Sequence, residues 1–216
     1  RFLAIAAAAA GTDRFVFRGR EADPAAVPER LTVAEAFRSL AGIDLLATLG
    51  DGGEADRDRL AAEARAAGIT VAADDTFGDI FSRVLVACVE PRIGNGRATF
   101  LTDYPACEAA LARPKPCDPR LAERFELFAC GVELANGFAE LTDPGLQRIR
   151  LEAEMARKEQ RYGERYPIDE DFLAALARMP PTSGCALGFD RLVMLAARAS
   201  RIDQVMWTPL PLDDGR

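Results

Sequence analysis

Three polar side chains, Glu133, Asn136 and Glu140, lie close together in the segment CGVELANGFAELTD at residues 130–143. The rest of that segment has the apolar spacing of a β-strand. Carboxylate and amide groups gathered on a strand indicate a site for a cation, an amine or a polar ligand. The chain has no histidine, so Ser-His-Asp and Cys-His catalysis and histidine zinc sites are excluded. Any chemistry must use carboxylates, amides, arginine, lysine and the backbone.

A further carboxylate, Glu126, lies in the preceding strand-like segment RFELFAC. Residues 130–131 suit a two-residue hairpin turn because glycine readily adopts positive φ. In that hairpin Phe128 pairs with Glu133 and Glu126 pairs with Ala135. The two glutamates are then diagonal neighbours, about 7–8 Å apart, which predicts a Mg²⁺ site because this ion takes carboxylate oxygens and shares them with substrate phosphates. The alternative is a pair of solvated glutamates on an exposed sheet face.

On a regular strand, Asn136 and Glu140 are in phase with each other but out of phase with Glu133. They join the same site only if the strand bends, and Asn136-Gly137 is a plausible position for a β-bulge. A glutamate opposite an amide suits a ligand that carries an amine and a polar head. The alternative is that Asn136-Gly137 forms a second turn and Glu140 caps the next helix.

A second motif, PPTSGCALGFDRLVMLA, leads from a turn through a short strand into an amphipathic helix that begins near Asp190. Gly184 and Gly188 lack side chains, so a flat ligand could lie against the backbone. Arg191, at the helix start, presents a guanidinium that suits phosphate, and the positive helix N-terminus favours the same charge. Glycine before a helix is common, but together with the hairpin this motif predicts a nucleotide site.

The surrounding elements predict an α+β fold. Residues 1–10 form a helix ending at Gly11, and residues 11–30 form a loop. Helical patterns in LTVAEAFRSLAG, EADRDRLAAEARAAG and DTFGDIFSRVLVACVEP predict a helical insertion at 30–90, in which Thr32 and Glu35 form a capping box. Strands are predicted for ATFLTDY, RFELFAC, VELANGF, GCALGF and QVMWTP, and helices for 144–163 and DEDFLAALARM. The helices are expected on one side of the sheet.

Composition narrows the class of protein. A chain of 216 residues with 49% hydrophobic content has enough material for one large domain. No segment approaches 18 consecutive apolar residues, and the five cysteines form no C-x-x-C pair, which predicts a soluble, reduced, cytoplasmic protein. A net charge of −7 disfavours sequence-independent nucleic-acid binding. The start at Arg1, within an apolar run, leads us to expect further chain upstream.

Residues 97–209 resemble the C-terminal half of the catalytic domain of class II lysyl-tRNA synthetases. The resemblance rests on AERFELFACGVELANGFAELTDPGLQRIR and on MPPTSGCALGFDRLVML, which is similar to the third signature motif of that family. Ala135 and Ala186 stand where true synthetases more often carry glycine. With FLTDYPACEAALARP and ERLTVAEAFRSLAGIDLL, they resemble the truncated paralogues that attach lysine to elongation factor P.

The resemblance implies a homodimer with an antiparallel sheet flanked by helices, and it implies ATP and Mg²⁺ as cofactors. Glu126 and Glu133 would hold Mg²⁺, and Glu133 and the backbone at Leu134 would contact ATP. Gly188 would lie against the nucleotide. Arg191 would meet the γ-phosphate and is the implied catalytic residue.

The implied substrate is lysine or β-lysine, bound by Asn136 and Glu140, with Glu140 facing the side-chain ammonium. Its carboxylate would attack the α-phosphate of ATP, giving an aminoacyl-adenylate and releasing pyrophosphate. The amine of a lysine of elongation factor P would then displace AMP. The family's first two motifs lie upstream of these residues, so the chain by itself is expected to have little activity. Two alternatives stay open: a lysyl-tRNA synthetase, which the acidic charge disfavours, and a catalytically inactive binding module.

Overall fold

The computed structural model describes residues 1–209, whose strands form two sheets. In chain order the strands are Phe15–Phe17 (β1), Arg20–Asp23 (β2), Glu29–Thr32 (β3), Gly96–Arg97 (β4), Thr99–Pro105 (β5), Pro114–Lys115 (β6), Asp118–Ala129 (β7), Val132–Ala139 (β8) and Ser183–Leu187 (β9). The larger sheet has the order β3-β5-β7-β8-β9, with β6 paired to β7. Its strands are antiparallel except for the parallel pair β3 and β5. The smaller sheet has the order β1-β2-β4.

Seven α-helices are present among residues 1–209. They are Phe2–Ala10 (α1), Val33–Ala36 (α2), Arg57–Ala66 (α3), Phe77–Val84 (α4), Pro144–Tyr162 (α5), Glu170–Leu176 (α6) and Phe189–Ala196 (α7). Single π-helical turns extend α2 and α4, at Phe37–Ala41 and Leu85–Val89. Together with the sheets they form the predicted α+β fold. None of the helices among residues 1–209 has the length and apolar character needed to cross a membrane.

Local sequence signals account for the helix ends. Thr32 and Glu35 form the predicted capping box, because the Thr32 side chain accepts a bond from the Glu35 N–H and the Glu35 carboxylate accepts one from the Thr32 N–H. Gly11 and Gly42 end their helices in the left-handed conformation, with φ of 63° and 74°. The capping-box bonds satisfy N–H groups that the start of a helix leaves unpaired, and the N–H groups at the glycine ends bond carbonyl groups that its last turn leaves unpaired.

Helices cover both faces of the larger sheet. On one face the helical region 33–92 packs against Leu101, Tyr104 and Phe128. On the opposite face α1 and α7 pack against Leu127 and Leu134. The prediction that helices lie on one side was therefore wrong. Leu127 and Phe128 are adjacent in β7 and face opposite sides, yet both are buried. Apolar residues at both phases of a strand require a cover on each side.

Two segments differ from the sequence prediction. Residues 11–30, predicted as a loop, contain β1, β2 and the first two residues of β3. These strands have only three or four residues each and carry charged side chains, so they show no clear alternation. The segment QVMWTP, predicted as a strand, instead follows the short turn Ile202–Gln204 without pairing, and Trp207 is 99% exposed. Apolar residues alone do not make a strand when no neighbouring strand is available to bond them.

Candidate active site

The hairpin between β7 and β8 turns where predicted but has a different register. Cys130 and Gly131 both have positive φ, 53° and 71°, and Phe128 pairs with Glu133 as predicted. Beyond that pair a β-bulge intervenes, so Glu126 lies opposite Asn136. The predicted pairing of Glu126 with Ala135 was therefore wrong by one residue. The extra residue lies between Glu133 and Ala135, not at Asn136-Gly137.

The bulge brings the predicted site residues onto one face. Since Glu126 pairs with Asn136 and Phe128 with Glu133, the side chains of these four residues share a face of the hairpin. Glu140 follows in phase with Asn136. The bulge thus removes the phase conflict that a regular strand would impose.

Strand β9 completes this face beside Glu140. Gly184 pairs with Phe138, and a Cβ atom built on Gly184 would lie only 2.5 Å from Glu140 Oε1. The missing side chain at Gly184 therefore leaves the room in which the Glu140 carboxylate lies. The alternative for this segment, a second turn at Asn136-Gly137 with Glu140 capping the next helix, is wrong in both parts. Asn136 is paired with strands on both sides of β8, and Asp143, not Glu140, caps α5.

Glu126 is the one charged residue in the buried set of residues 1–209, with 7% of its surface exposed. Arg124 Nη2 donates to its Oε1 at 2.6 Å. Burial raises the pKa of Glu126 and nearby Glu133 adds to the rise, whereas Tyr104 and Arg124 oppose it. The carboxylate therefore lies at a place where a second positive charge would be stabilised.

Arg191 faces the same group of carboxylates. Its Nη1 donates at 3.0 Å to Glu133 Oε2 and at 3.0 Å to the Glu133 carbonyl. Gly188 holds the start of α7 against the bulge, because its N–H donates to the Leu134 carbonyl at 2.8 Å. A Cβ on Gly188 would lie 3.3 Å from Arg191 Cδ, so glycine allows Arg191 to fold back across the strand end. The Leu134 side chain is buried in the core on the other face.

Two neighbours of the site escaped sequence reasoning. Arg124 looked like an ordinary strand residue, and Glu90 lay in a segment predicted only as helix. Burial raises the pKa of Glu90, and Glu126 and Glu133 raise it further while Arg191 opposes them. Only the assembled sheet places Glu90 beside the two hairpin glutamates, so no local pattern could have identified it.

The donor set suits an oxygen-seeking cation that brings ligands of its own. Glu126 and Glu133 supply carboxylate oxygens on one face, close enough for their charges to influence each other. Within residues 1–209 no group of three or more His, Cys, Asp and Glu side chains has the arrangement of a self-contained metal site. Mg²⁺ is the cation that usually binds through one or two carboxylates and completes its shell with water and phosphate.

Comparison with known proteins identifies the family of the chain. Residues 12–211 match the model of the class II tRNA synthetases specific for D, K and N. The chain belongs to this family, and the resemblance stated from its motifs is confirmed at that level.

The curated relatives carry two different names. The chain is 40% identical over 182 residues to a lysine–tRNA ligase of Dehalococcoides mccartyi, covering 83% of the chain and 35% of the relative. It is 39% identical over 208 residues to a lysine–tRNA ligase of Synechococcus sp., covering 95% and 40%. It is 39% identical over 186 residues to an elongation factor P–(R)-beta-lysine ligase of Vibrio cholerae, covering 85% and 55%. The chain thus spans about a third to about a half of the length of these relatives.

Proposed function

We propose that this chain forms the part of an ATP-dependent ligase that binds a diamino acid and activates it as an adenylate. The observation that carries the proposal is the bulged face of β7 and β8, where Glu126, Glu133, Asn136 and Glu140 share one side and Arg191 reaches it from α7. Family membership and the names of the relatives support lysine or β-lysine as the diamino acid.

In this proposal the acidic and basic groups divide the ligand between them. Glu140, over Gly184, would receive the ammonium group of the diamino acid. Arg191 would exchange its Glu133 partner for a phosphate oxygen of ATP, since a guanidinium binds either anion in the same geometry. Gly188 and the backbone at Leu134 would contact the nucleotide. Catalysis then rests on positioning and charge neutralisation, neither of which needs histidine.

Glu126 and Glu133 would hold Mg²⁺ in this site. The ion, when bound, would supply positive charge that neutralises the phosphates. Glu126 and Glu133 would keep their carboxylates on the shared face. The hydrogen bond from Arg124 would hold the Glu126 carboxylate in place. Exchanging either glutamate for glutamine is expected to raise the Mg²⁺ concentration needed for activity by at least roughly tenfold.

We further propose elongation factor P as the acceptor of the activated residue. The alanines Ala135 and Ala186 and the named relative from Vibrio cholerae support this choice. The lysine–tRNA ligases among the relatives favour tRNA as the second candidate, so the tRNA acceptor, which the charge disfavoured, has to be tested directly. A homodimer and the preference for β-lysine stay predictions.

The first experiment measures exchange of pyrophosphate into ATP with lysine or β-lysine, using the protein expressed at the full length of its gene. Glu140→Gln should raise the KM for the diamino acid at least roughly a hundredfold, because it leaves an ammonium without its counter-charge. Glu123→Gln, on the same strand as Glu126 and paired with Arg113, is the matched control and should leave KM unchanged. If neither diamino acid supports exchange, the proposed function is wrong.

A second experiment identifies the acceptor. The activated enzyme is offered purified elongation factor P and tRNA(Lys) in parallel, and mass spectrometry and acid-precipitable label report transfer to each. Transfer to the protein factor alone supports the proposal. Transfer to tRNA alone replaces it with the synthetase reading, and retained ATP binding without transfer or exchange would indicate a binding module.

A further inference from the structure

The Arg124 side chain donates hydrogen bonds to three different residues, more than any other described side chain of the hairpin site. Besides the bond to Glu126, its Nε donates to Asn136 Oδ1 at 3.3 Å and its Nη1 to the Glu108 carbonyl at 2.7 Å. The guanidinium also lies over the Tyr104 ring, 4.3 Å from its centroid. With 20% of its side chain exposed, it is largely enclosed. Each nitrogen of the group has a different partner, so its orientation is fixed.

This enclosure determines which way the Asn136 amide points. A guanidinium has only donors, so the atom of Asn136 that meets Arg124 must be the carbonyl oxygen. The amide nitrogen, with its two N–H donors, then points away from Arg124, and it is not among the buried unpaired atoms of residues 1–209. A free Asn136 side chain could present either end. Arg124 removes that choice.

We infer that Arg124 is a positioning residue for the substrate: it fixes the Asn136 amide so that its N–H donors face an acceptor oxygen of the bound diamino acid or nucleotide. The inference rests on the proposed function and adds a residue that acts through Asn136 rather than by touching substrate. The hydrogen bond to the Glu108 carbonyl and the contact with the Tyr104 ring hold the guanidinium in this orientation. Because three bonds in fixed directions are needed, lysine, a single point charge on a flexible chain, is a poor substitute.

The test measures binding of lysine and β-lysine by calorimetry to the full-length protein in the presence of a non-hydrolysable ATP analogue. Arg124→Gln should raise the Kd for the diamino acid by roughly tenfold or more, since one oriented hydrogen-bonding group is lost. Arg124→Lys should recover less than half of the loss on a logarithmic scale. Full recovery by lysine would mean that only positive charge matters and would overturn the inference.

Two further variants separate positioning from general stability. In the double variant Arg124→Gln with Asn136→Ala, the Kd should equal that of Asn136→Ala alone, because Arg124 acts through that amide. Additive losses would overturn the inference. Arg120→Gln is the matched control. Arg120 forms an ion pair at 2.9 Å with Asp118, two residues away on β7, as Arg124 does at 2.6 Å with Glu126. Loss of the Arg120 pair should leave the Kd for the diamino acid within about twofold of the wild type.

The outcomes distinguish this inference from the proposed function. A wild-type protein that binds a diamino acid while Arg124→Gln binds it equally well overturns the role of Arg124 and leaves the function standing. A wild-type protein that binds neither diamino acid overturns both. Should Arg124→Gln fail to fold, as judged by circular dichroism, Arg124→Lys combined with Asn136→Ala supplies the same non-additivity test.

Discussion

Burial of the Glu108 carboxyl predicts how the free energy of unfolding changes with pH. The Glu108 side chain lies in the cavity of about 790 Å³ between α4 and α5, against Gly78, where a Cβ atom would be 3.1 Å from its carboxylate oxygens. Burial raises the pKa of Glu108 from 4.5 to about 7, and the opposing effect of Arg157 and Arg124 does not compensate. In the unfolded chain the carboxyl ionises near its ordinary pKa. The folded protein therefore holds a proton there that the unfolded chain has lost.

The sign of the effect on stability follows from this difference in bound protons. Between pH 4.5 and 7 the folded state binds more protons at Glu108 than the unfolded state, so the free energy of unfolding falls as pH rises. The fall levels off above pH 7, as the folded-state carboxyl ionises as well. At about 1.4 kcal/mol per pH unit the limit is about 3 kcal/mol, and partial exposure of the side chain reduces the expected value to about 1–3 kcal/mol.

Glu108→Gln removes the ionisation while keeping size and polarity. We expect the variant to match the wild type near pH 4.5 and to exceed its free energy of unfolding by about 1–3 kcal/mol at pH 8. Urea titrations followed by far-ultraviolet circular dichroism at several pH values measure this, since the single tryptophan, Trp207, is too exposed to report on folding.

The matched control is Glu159→Gln, which removes an exposed carboxylate of α5 that is paired with Arg165. Its stability difference from the wild type should stay within about 0.5 kcal/mol across the same pH range. If the difference between Glu108→Gln and the wild type does not change between pH 5 and 8, Glu108 is not desolvated in the folded protein and the reasoning is refuted.

Three further predictions concern the elements that hold the site. Gly137→Ala should lower the free energy of unfolding by about 1–3 kcal/mol, since its Cβ would lie 2.7 Å from the Gly184 carbonyl oxygen; unchanged urea unfolding would show that β8 and β9 are not so closely paired. Phe128→Ala should cost about 3–5 kcal/mol because the side chain is fully buried, and a loss under 1 kcal/mol would contradict its place in the core. Thr76→Ala should cost about 1 kcal/mol through loss of a capping box, measured by the same titrations, and replacement by Ser should restore most of it.

Features that depend on neighbouring residues in the chain were accessible from the sequence. The turn at Cys130-Gly131, the capping box at Thr32 and the helix end at Gly42 each follow from the conformations available to one or two residues. The motifs around Glu133 and Arg191 were also enough to indicate the family, which the match over residues 12–211 confirmed.

Features that depend on packing between distant segments were not accessible. The bulge after Glu133 moved every later pair of the hairpin by one residue, and nothing in the sequence of β8 alone favours that position over Asn136-Gly137. The short strands β1 to β3 form because partners are available to them in the folded chain, and QVMWTP has none.

The sequence by itself determined the types of chemical group in the candidate site and the family to which the chain belongs. Only the tertiary structure decided that Glu126 faces Asn136, that Arg124 is bonded to both, and that Glu90 lies near them. The physical reason is that a strand's register and the partners of a buried charge are set by contacts between segments far apart in the chain, which no local preference encodes.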